Sequence, residues 1–215
     1  MEITYLGHSS FKIRGKKATL VTDPFDEEMV GIKFPKLDSI DIVTVSHPHL
    51  DHSDTKSING NPLIISGPGE YEVKGARIYG IQTYHDSSQG KERGKNTVYH
   101  IEMDGISIIH CGDIGHKFND KEIELLDGVG LLFVPVGGVW TVTASQAVEI
   151  VSQLEPRIII PMHYKTSKHK QESFAGLAEV GIFLKEMGKE GVLPVDKLNI
   201  TKDKLPVEPT IVVME

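Results

Sequence analysis

A dense group of ionisable side chains directly after an apolar run most constrains how this chain can fold. The segment from His47 to His52 reads His-Pro-His-Leu-Asp-His and follows the predicted strand Ile42–Ser46. Crowded imidazoles disfavour one another's protonation, whereas neutral imidazoles and a carboxylate are ligands that Zn, Mn and Fe accept at about 2.0–2.2 Å. A polar surface loop with coincidental histidines is the weaker interpretation, because the spacing follows a strand directly.

Further histidines and one aspartate also stand just after predicted strands. They are His85, His110, Asp113 and His163. In layered α/β folds, ligand-binding groups collect at the edge where strands give way to loops. We therefore expect groups that are far apart in sequence to converge on the cluster between His47 and His52.

The first half of the chain alternates short apolar runs with turn residues, which is typical of β-structure. The predicted strands are Ile3–Leu6, Ser10–Ile13, Thr19–Thr22, Ile42–Ser46, Leu63–Ser66, Arg77–Thr83, Val98–Glu102 and Ile106–Ile109. Asp104 and Gly105, between the last two strands, form a strong hairpin signal.

The second half alternates strands with helices. The predicted elements are strand Leu131–Val134, helix Ala144–Leu154, strand Arg157–Ile160, a helix Gln171–Met187 interrupted by Gly176 and Gly181, and strands Lys197–Ile200 and Thr210–Val213. Thr143 and Gln146 have the spacing of a capping box at the start of the first helix. We predict one α/β domain, residues 1–215, with mixed sheets flanked by helices.

Composition excludes several classes of protein. The formal charge of −7 argues against a nucleic-acid binder, which needs a basic field to neutralise phosphates. A single cysteine, Cys111, excludes a disulfide framework and a cysteine-rich zinc site, and fits a reducing compartment. Met1 leads directly into a predicted strand and no apolar run is long enough for a bilayer, so we expect a cytoplasmic protein without membrane contact.

The ligand motifs together resemble those of the metallo-β-lactamase superfamily. They are His47-x-His49-x-Asp51-His52, Asp23 upstream, and His85, Gly112-Asp113 and His163 downstream. The resemblance runs from Gly7-His8-Ser9-Ser10 to Pro161-Met162-His163-Tyr164, and is strongest to the small bacterial Zn-dependent hydrolases near ascorbate-6-phosphate lactonase. It implies an αβ/βα four-layer sandwich of two mixed sheets flanked by helices.

The resemblance also assigns the ligands. It places His47, His49 and His85 on a first metal ion, Asp51, His52 and His163 on a second, and Asp113 between the two. Two ions that share a carboxylate, about 3.5–4 Å apart, can hold a bridging hydroxide and polarise a substrate oxygen. We expect two divalent ions, with Zn favoured and Mn or Fe as alternatives, because these ligands suit all three.

Three residues are candidates for further catalytic roles. Asp51 is a ligand that can also accept a hydrogen bond from the bound hydroxide. The resemblance makes Asp23 a residue that orients the cluster loop without touching metal; without the resemblance, an ordinary turn aspartate before Pro24 is the better interpretation. His116 can handle an anion or a leaving-group proton, although His116, His8 and His110 fit a structural role equally well.

The sequence favours hydrolysis of a small ester, lactone or phosphoester, with a non-catalytic regulatory or assembly domain on the same fold as the alternative. An anionic substrate is expected from Lys165 and Thr166 beside the ligand His163, and from cations in the candidate lid Asp86–Asn96. Trp140 is either a wall of the site or part of the core. The oligomeric state stays open.

Overall fold

Thirteen strands form two mixed sheets in the computed structural model, which describes residues 1–215. The strands are β1 Glu2–Gly7, β2 Ser10–Arg14, β3 Thr19–Thr22, β4 Ile42–Val45, β5 Leu63–Ser66, β6 Gly69–Val73, β7 Ala76–Tyr84, β8 Lys95–Met103, β9 Ile106–His110, β10 Leu131–Pro135, β11 Ile158–Met162, β12 Lys197–Asn199 and β13 Thr210–Ile211. The helices are α1 Glu27–Val30, α2 Leu50–Ser53, α3 Asp120–Glu124, α4 Ala144–Leu154, α5 Gln171–Phe174 and α6 Val180–Glu186.

Each sheet joins an antiparallel half to a parallel half. The first sheet has the order β12-β1-β2-β3-β4-β5, with parallel pairing from β3 to β5. The second has the order β13-β11-β10-β9-β8-β7-β6, with parallel pairing from β9 to β13. Every residue of β10 and β11 is buried, as expected for parallel strands covered on both faces. This arrangement agrees with the predicted pair of mixed sheets flanked by helices.

Aromatic side chains join the two sheets across the core. The rings of Phe11 in β2 and Phe133 in β10 have centroids 4.2 Å apart. The buried hydroxyl of Tyr99 in β8 donates to the carbonyl of Val45 at 2.8 Å and accepts the N–H of Gly67 at 3.0 Å. Tyr99 therefore fixes the separation and register of the two sheets beside the end of β4.

Helix α4 covers the second sheet with the apolar face that the sequence predicts. Its buried residues include Ala147, Ile150 and Leu154. The capping box between Thr143 and Gln146 is present. The Thr143 hydroxyl oxygen accepts the backbone N–H of Gln146, and the side-chain oxygen of Gln146 accepts the backbone N–H of Thr143. No helix in the chain combines the length and apolar character that crossing a bilayer requires.

The predicted helix Gln171–Met187 is present as two helices, α5 and α6, and the segment between them contains Gly176, one of the two predicted interruptions. Between them the backbone N–H of Ala178 donates to the carbonyl of Gly137, and Glu179 forms a parallel bridge with Lys165. These long-range backbone bonds replace helical ones. Gly181 lies inside α6 and does not interrupt it. Strand β6 and helices α1, α2 and α3 were not predicted.

Candidate metal centre

The first sheet supplies its part of the candidate site through the loop after β4. His47 follows Ser46 directly, and its Nδ1 lies 2.9 Å from the Ser46 hydroxyl, so Nε2 faces away from that contact. His49 caps the short helix α2, which carries the buried side chains of Asp51 and His52. A strand end followed by a single helical turn thus presents four ligand-type side chains within six residues.

The second sheet supplies three more side chains from the ends of β7, β9 and β11. They are His85, Asp113 and His163. The turn before Asp113 requires Gly112, which has φ +54° and where a Cβ would overlap the side chains of Asn96 and Ser46. The backbone N–H of Asp113 donates to Asn96 Oδ1 at 3.0 Å, which fixes the backbone that carries the carboxylate.

The side chains from both sheets form one cluster. Three sets have ligand atoms mutually within 4.8 Å, namely His47 with His49 and His85, His47 with His52 and Asp113, and His8 with Asp51, His52 and His163. The structure thus brings together all seven residues that the sequence predicts as ligands. It also places His8 in the cluster, a residue for which the sequence favoured neither a structural nor a functional role.

Asp113 lies between the two predicted ligand sets. Its Oδ2 is 3.4 Å from His85 Nε2 and 3.2 Å from His163 Nε2, while its Oδ1 is 3.3 Å from His52 Nε2. The His47 Nε2 lies 3.9 Å from Oδ2. One carboxylate therefore contacts histidines assigned to both metal ions.

The polar atoms in this cluster fit a metal site. His47 Nε2, His52 Nε2, His163 Nε2 and Asp113 Oδ1 are buried without a hydrogen-bond partner. Buried polar groups without partners are rare and costly in folded proteins. Divalent cations of the kind that imidazole and carboxylate prefer would give these atoms partners.

Asp23 fixes the loop that carries His47 to His52 by three hydrogen bonds. Its Oδ1 accepts the Ser46 N–H at 2.8 Å, and its Oδ2 accepts the Ser46 hydroxyl at 2.6 Å and His52 Nδ1–H at 2.8 Å. The proton on His52 is thereby fixed at Nδ1, which leaves the Nε2 lone pair free to bind metal. Asp23 adopts φ +37°, an unusual conformation for a residue with a side chain.

The electrostatics of the cluster require positive charge. Burial opposes ionisation of Asp113, but His163 and His52 outweigh it and hold the pKa of Asp113 well below its usual range. Burial also penalises charge on His52, yet Asp113 and Asp51 raise the pKa of His52 well above its usual value. Burial, reinforced by His52, lowers the pKa of His47 to about 3. The lowered pKa of Asp113 and the raised pKa of His52 both show that the buried carboxylates favour a nearby positive charge, which a bound cation would supply.

An open cleft of about 400 Å³ leads to this cluster. Its floor contains His49, Asp51, His85 and Asp113, and its walls contain Met29, Arg93, Trp140, Ser173 and Phe174. The Arg93 guanidinium carbon lies 5.8 Å from the centre of the Trp140 ring, and the rings of Trp140 and Phe174 meet edge to face at 5.8 Å. Trp140 is therefore both packed and part of a cleft wall.

The predicted lid Asp86–Asn96 is a loop organised by its first residue. The Asp86 carboxylate accepts backbone N–H groups from Ser88, Gly90, Glu92 and Arg93 at 2.8–3.1 Å. Burial works against ionisation, but these donors lower the pKa of Asp86. The loop therefore presents Arg93 to the cleft on a fixed backbone.

Two histidines considered for catalysis are bonded to the backbone. His116 Nε2 accepts the Tyr84 N–H at 3.3 Å and Nδ1 lies 2.9 Å from the Lys117 carbonyl oxygen. His116 does not line the cleft, so its proposed part in proton transfer stays a prediction without a contact to support it. His110 Nε2 lies 2.9 Å from the Ser9 carbonyl oxygen and Nδ1 accepts the Gly112 N–H, a structural role.

Two other predictions about residues near the site need correction. Lys165 donates to the carbonyl of Ala175 at 3.1 Å and lines a different cavity, because the loop after His163 turns away from the cleft. From its sequence position alone His169 is interpreted as a surface or strand residue, but it is buried with its Nε2 3.2 Å from His8 Nδ1. Its position six residues after the predicted ligand His163 is the one sequence signal that could have indicated it.

Comparisons with known proteins agree with this geometry. Residues 2–163 match the β-lactamase superfamily domain. The UPF0173 metal-dependent hydrolase of Thermococcus onnurineus is 32% identical over 194 residues, covering 77% of this chain and 85% of that protein. The fold matches a Thermotoga maritima protein assigned as a Zn-dependent hydrolase of the metallo-β-lactamase superfamily, with TM-score 0.81, 36% identity and coverage of 100% and 98%.

A more distant structure shows the same fold. Igni18, a metallo hydrolase from Ignicoccus hospitalis, has TM-score 0.66 and 18% identity, with coverage of 93% of this chain and 99% of that one. The expected similarity to the branch near ascorbate-6-phosphate lactonase stays a prediction.

Proposed function

The chain belongs to the UPF0173 metal-dependent hydrolases of the β-lactamase superfamily, and from this premise we propose a dinuclear enzyme that hydrolyses a small anionic ester, lactone or phosphoester. The observation that carries the proposal is the position of Asp113, whose two oxygens face histidines of both ligand sets. A site for one ion would leave several buried nitrogens without partners. We expect Zn, with Mn and Fe as alternatives.

Two divalent ions bound here would supply a bridging hydroxide as nucleophile and polarise the substrate oxygen. The protein's own groups set the geometry of the attack. Asp51 reaches the cleft floor from α2, where it can accept a hydrogen bond from the nucleophile as well as bind metal. Asp23 acts through His52, whose tautomer it fixes. The chain offers no serine elbow, and burial raises the pKa of the Cys111 thiol, so a side-chain nucleophile is disfavoured.

Arg93 supports the anionic substrate. It is the one Lys or Arg side chain that lines the cleft, while the other lining residues beside the ligands are apolar or neutral. A guanidinium at the rim can pair with a carboxylate or phosphate of the substrate. The volume of the cleft is at the small end for ligand pockets, which favours a small molecule.

Metal content tests the dinuclear proposal. Protein dialysed against excess Zn, Mn or Fe(II) and then freed of unbound ions should hold two ions per chain by elemental analysis. Saturation at one ion contradicts the proposal. Protein with two ions that hydrolyses none of a panel of esters, lactones and phosphodiesters supports the non-catalytic alternative. In labelled water, the label should enter the product in a single turnover, and a trapped acyl- or phosphoryl-enzyme contradicts the bridging nucleophile.

Matched substrates test the role of Arg93. We expect Arg93→Ala to raise KM about tenfold for a carboxylated or phosphorylated ester and to leave KM for its neutral analogue unchanged, because one charge-assisted contact contributes about 1.5–3 kcal/mol before solvent screening. Lys91→Ala is the control, since Lys91 lies exposed on the same loop outside the cleft. Faster turnover of neutral analogues together with no effect of Arg93→Ala contradicts an anionic substrate.

A further inference from the structure

His8 is a fully buried histidine in contact with the ligands proposed for the second metal ion. Its Nε2 lies 3.4 Å from Asp51 Oδ2, and its ring centroid is 4.2 Å from that of His163. By distance alone it belongs to the group that could hold an ion together with Asp51, His52 and His163. Two roles are therefore possible in principle, a fourth ligand or a hydrogen-bond donor to a ligand.

The hydrogen bonds that connect His8 Nδ1 to His169 and Thr166 decide between these roles. The backbone N–H of Thr166 donates to His169 Nδ1 at 3.2 Å, which makes Nδ1 an acceptor and places the His169 ring proton on Nε2. His169 Nε2 lies 3.2 Å from His8 Nδ1, so it donates to that atom. His8 Nδ1 is then an acceptor, and the proton of the His8 ring must be on Nε2.

We propose that His8 is a positioning residue that donates its Nε2–H to Asp51 and is not a metal ligand. A nitrogen that carries a proton has no lone pair for a cation. The backbone N–H of Thr166 thus determines, through the rings of His169 and His8, that the His8 nitrogen facing Asp51 carries a proton. The predicted effect of His8 on metal binding rests on the proposed second ion. The position of the His8 proton does not, because it follows from Thr166, His169 and His8 alone.

The backbone supports a dedicated role for His8. It adopts φ +55°, a conformation that costs free energy for a residue with a side chain. The His8 carbonyl accepts the N–H of His163 at 3.0 Å, and His163 itself has φ +52°. The backbone of His8, in the strained turn after β1, therefore holds the loop that carries His163. The side chain of His8 contacts a second predicted ligand, Asp51. The 3.4 Å between His8 Nε2 and Asp51 Oδ2 is long for a hydrogen bond, and His8 Nε2 has no closer acceptor.

The tautomer of His8 can be observed directly by NMR. In ¹⁵N-labelled protein, long-range ¹H–¹⁵N correlations of the histidine rings should show His8 protonated at Nε2 and unprotonated at Nδ1, with and without Zn. The His8→Asn variant assigns the signals, because asparagine tolerates positive φ. A proton on Nδ1 overturns the proposal.

Loading with ¹¹³Cd separates this inference from the proposed function. We expect ¹¹³Cd–¹⁵N coupling at His52 and His163 and none at His8. Coupling at His8 makes it a ligand and overturns the proposal. If His52 and His163 show no coupling, the dinuclear centre is wrong, whereas the His8 tautomer still decides the hydrogen-bond chain.

Variants of His169 test the positioning effect. His169→Phe removes the donor to His8 Nδ1 and should weaken binding of the second ion about tenfold. His169→Gln retains a side-chain N–H and should restore most of the affinity. His100→Phe is the control, since His100 contacts Ser107 and Leu125 away from the cluster. Wild-type affinity in His169→Phe overturns the proposal.

Discussion

Replacing Asp23 by asparagine should weaken binding of the second metal ion more than binding of the first. In the wild-type protein both carboxylate oxygens are acceptors, one for the Ser46 N–H and the other for the Ser46 hydroxyl and His52 Nδ1–H. An asparagine can keep only one oxygen. If that oxygen faces the Ser46 N–H, the amide N–H₂ faces His52 Nδ1, and the His52 proton must move to Nε2. If the amide is turned around, two donors meet at Ser46.

The magnitude follows from the bond that is lost. The hydrogen bond between Asp23 and His52 is charge-assisted and fully buried, and such bonds contribute about 1.5–3 kcal/mol. That range corresponds to a loss of about 10- to 100-fold in affinity, which is typical for residues that orient a metal-binding histidine. The first ion should be affected less, because Asp23 reaches its ligands only indirectly, through the Ser46 hydroxyl that lies 2.9 Å from His47 Nδ1.

Competition with a chromophoric chelator measures the affinity of each ion, and elemental analysis measures the number bound. Asp38→Asn is the matched control, since Asp38 is exposed and bonds only to Asn59. Urea unfolding of the metal-free proteins shows whether Asp23→Asn still folds cooperatively. A variant that folds and binds both ions as tightly as the wild type would refute the assignment of Asp23 as the residue that sets the His52 tautomer.

Three further predictions follow from the structure. Asp113→Asn should weaken both ions, whereas His85→Ala should weaken chiefly the first and His163→Ala chiefly the second; equal losses at both sites in all three variants would contradict the division of ligands. Tyr99→Phe should lower the free energy of unfolding by about 1–3 kcal/mol in urea titrations, because the buried carbonyl of Val45 and the partly buried N–H of Gly67 lose a partner; an unchanged midpoint would refute this. Cys111 is buried and its pKa is raised by burial, so it should stay unreactive to a thiol reagent at pH 8 until denaturant is added.

The elements that could be predicted from sequence are those fixed by local patterns. β3, β5 and α4 have the predicted bounds, because an apolar run between turn residues or a capping box is visible within a few residues. The convergence of His85, Asp113 and His163 was predictable for a related reason: each follows a strand, and the strands of a layered fold end at a common edge.

Other features depend on contacts between distant segments and left no local pattern. An interruption at Gly176 was predicted, but the late start of α6 was not; it depends on the bond of Ala178 to Gly137, 41 positions earlier by their numbers. The burial of His169 depends on His8, which is 161 positions away. The sequence places Arg93 in a loop rich in glycine and charged residues, without indicating that the loop is ordered. The four hydrogen bonds to Asp86 show that the backbone of this loop is fixed at the cleft.

The division of the cluster between the two sheets has a consequence for the lifetime of the folded protein. His47, His49, Asp51 and His52 follow a strand of the first sheet, whereas His85, Asp113 and His163 follow strands of the second. An ion bound to both groups is a reversible crosslink between the halves of the sandwich. Free metal at 100 times its Kd would add about 2.7 kcal/mol to the stability. The free energy that separates the two sheets should therefore rise with the concentration of free metal, although the open cleft lets an ion enter and leave without the sheets parting.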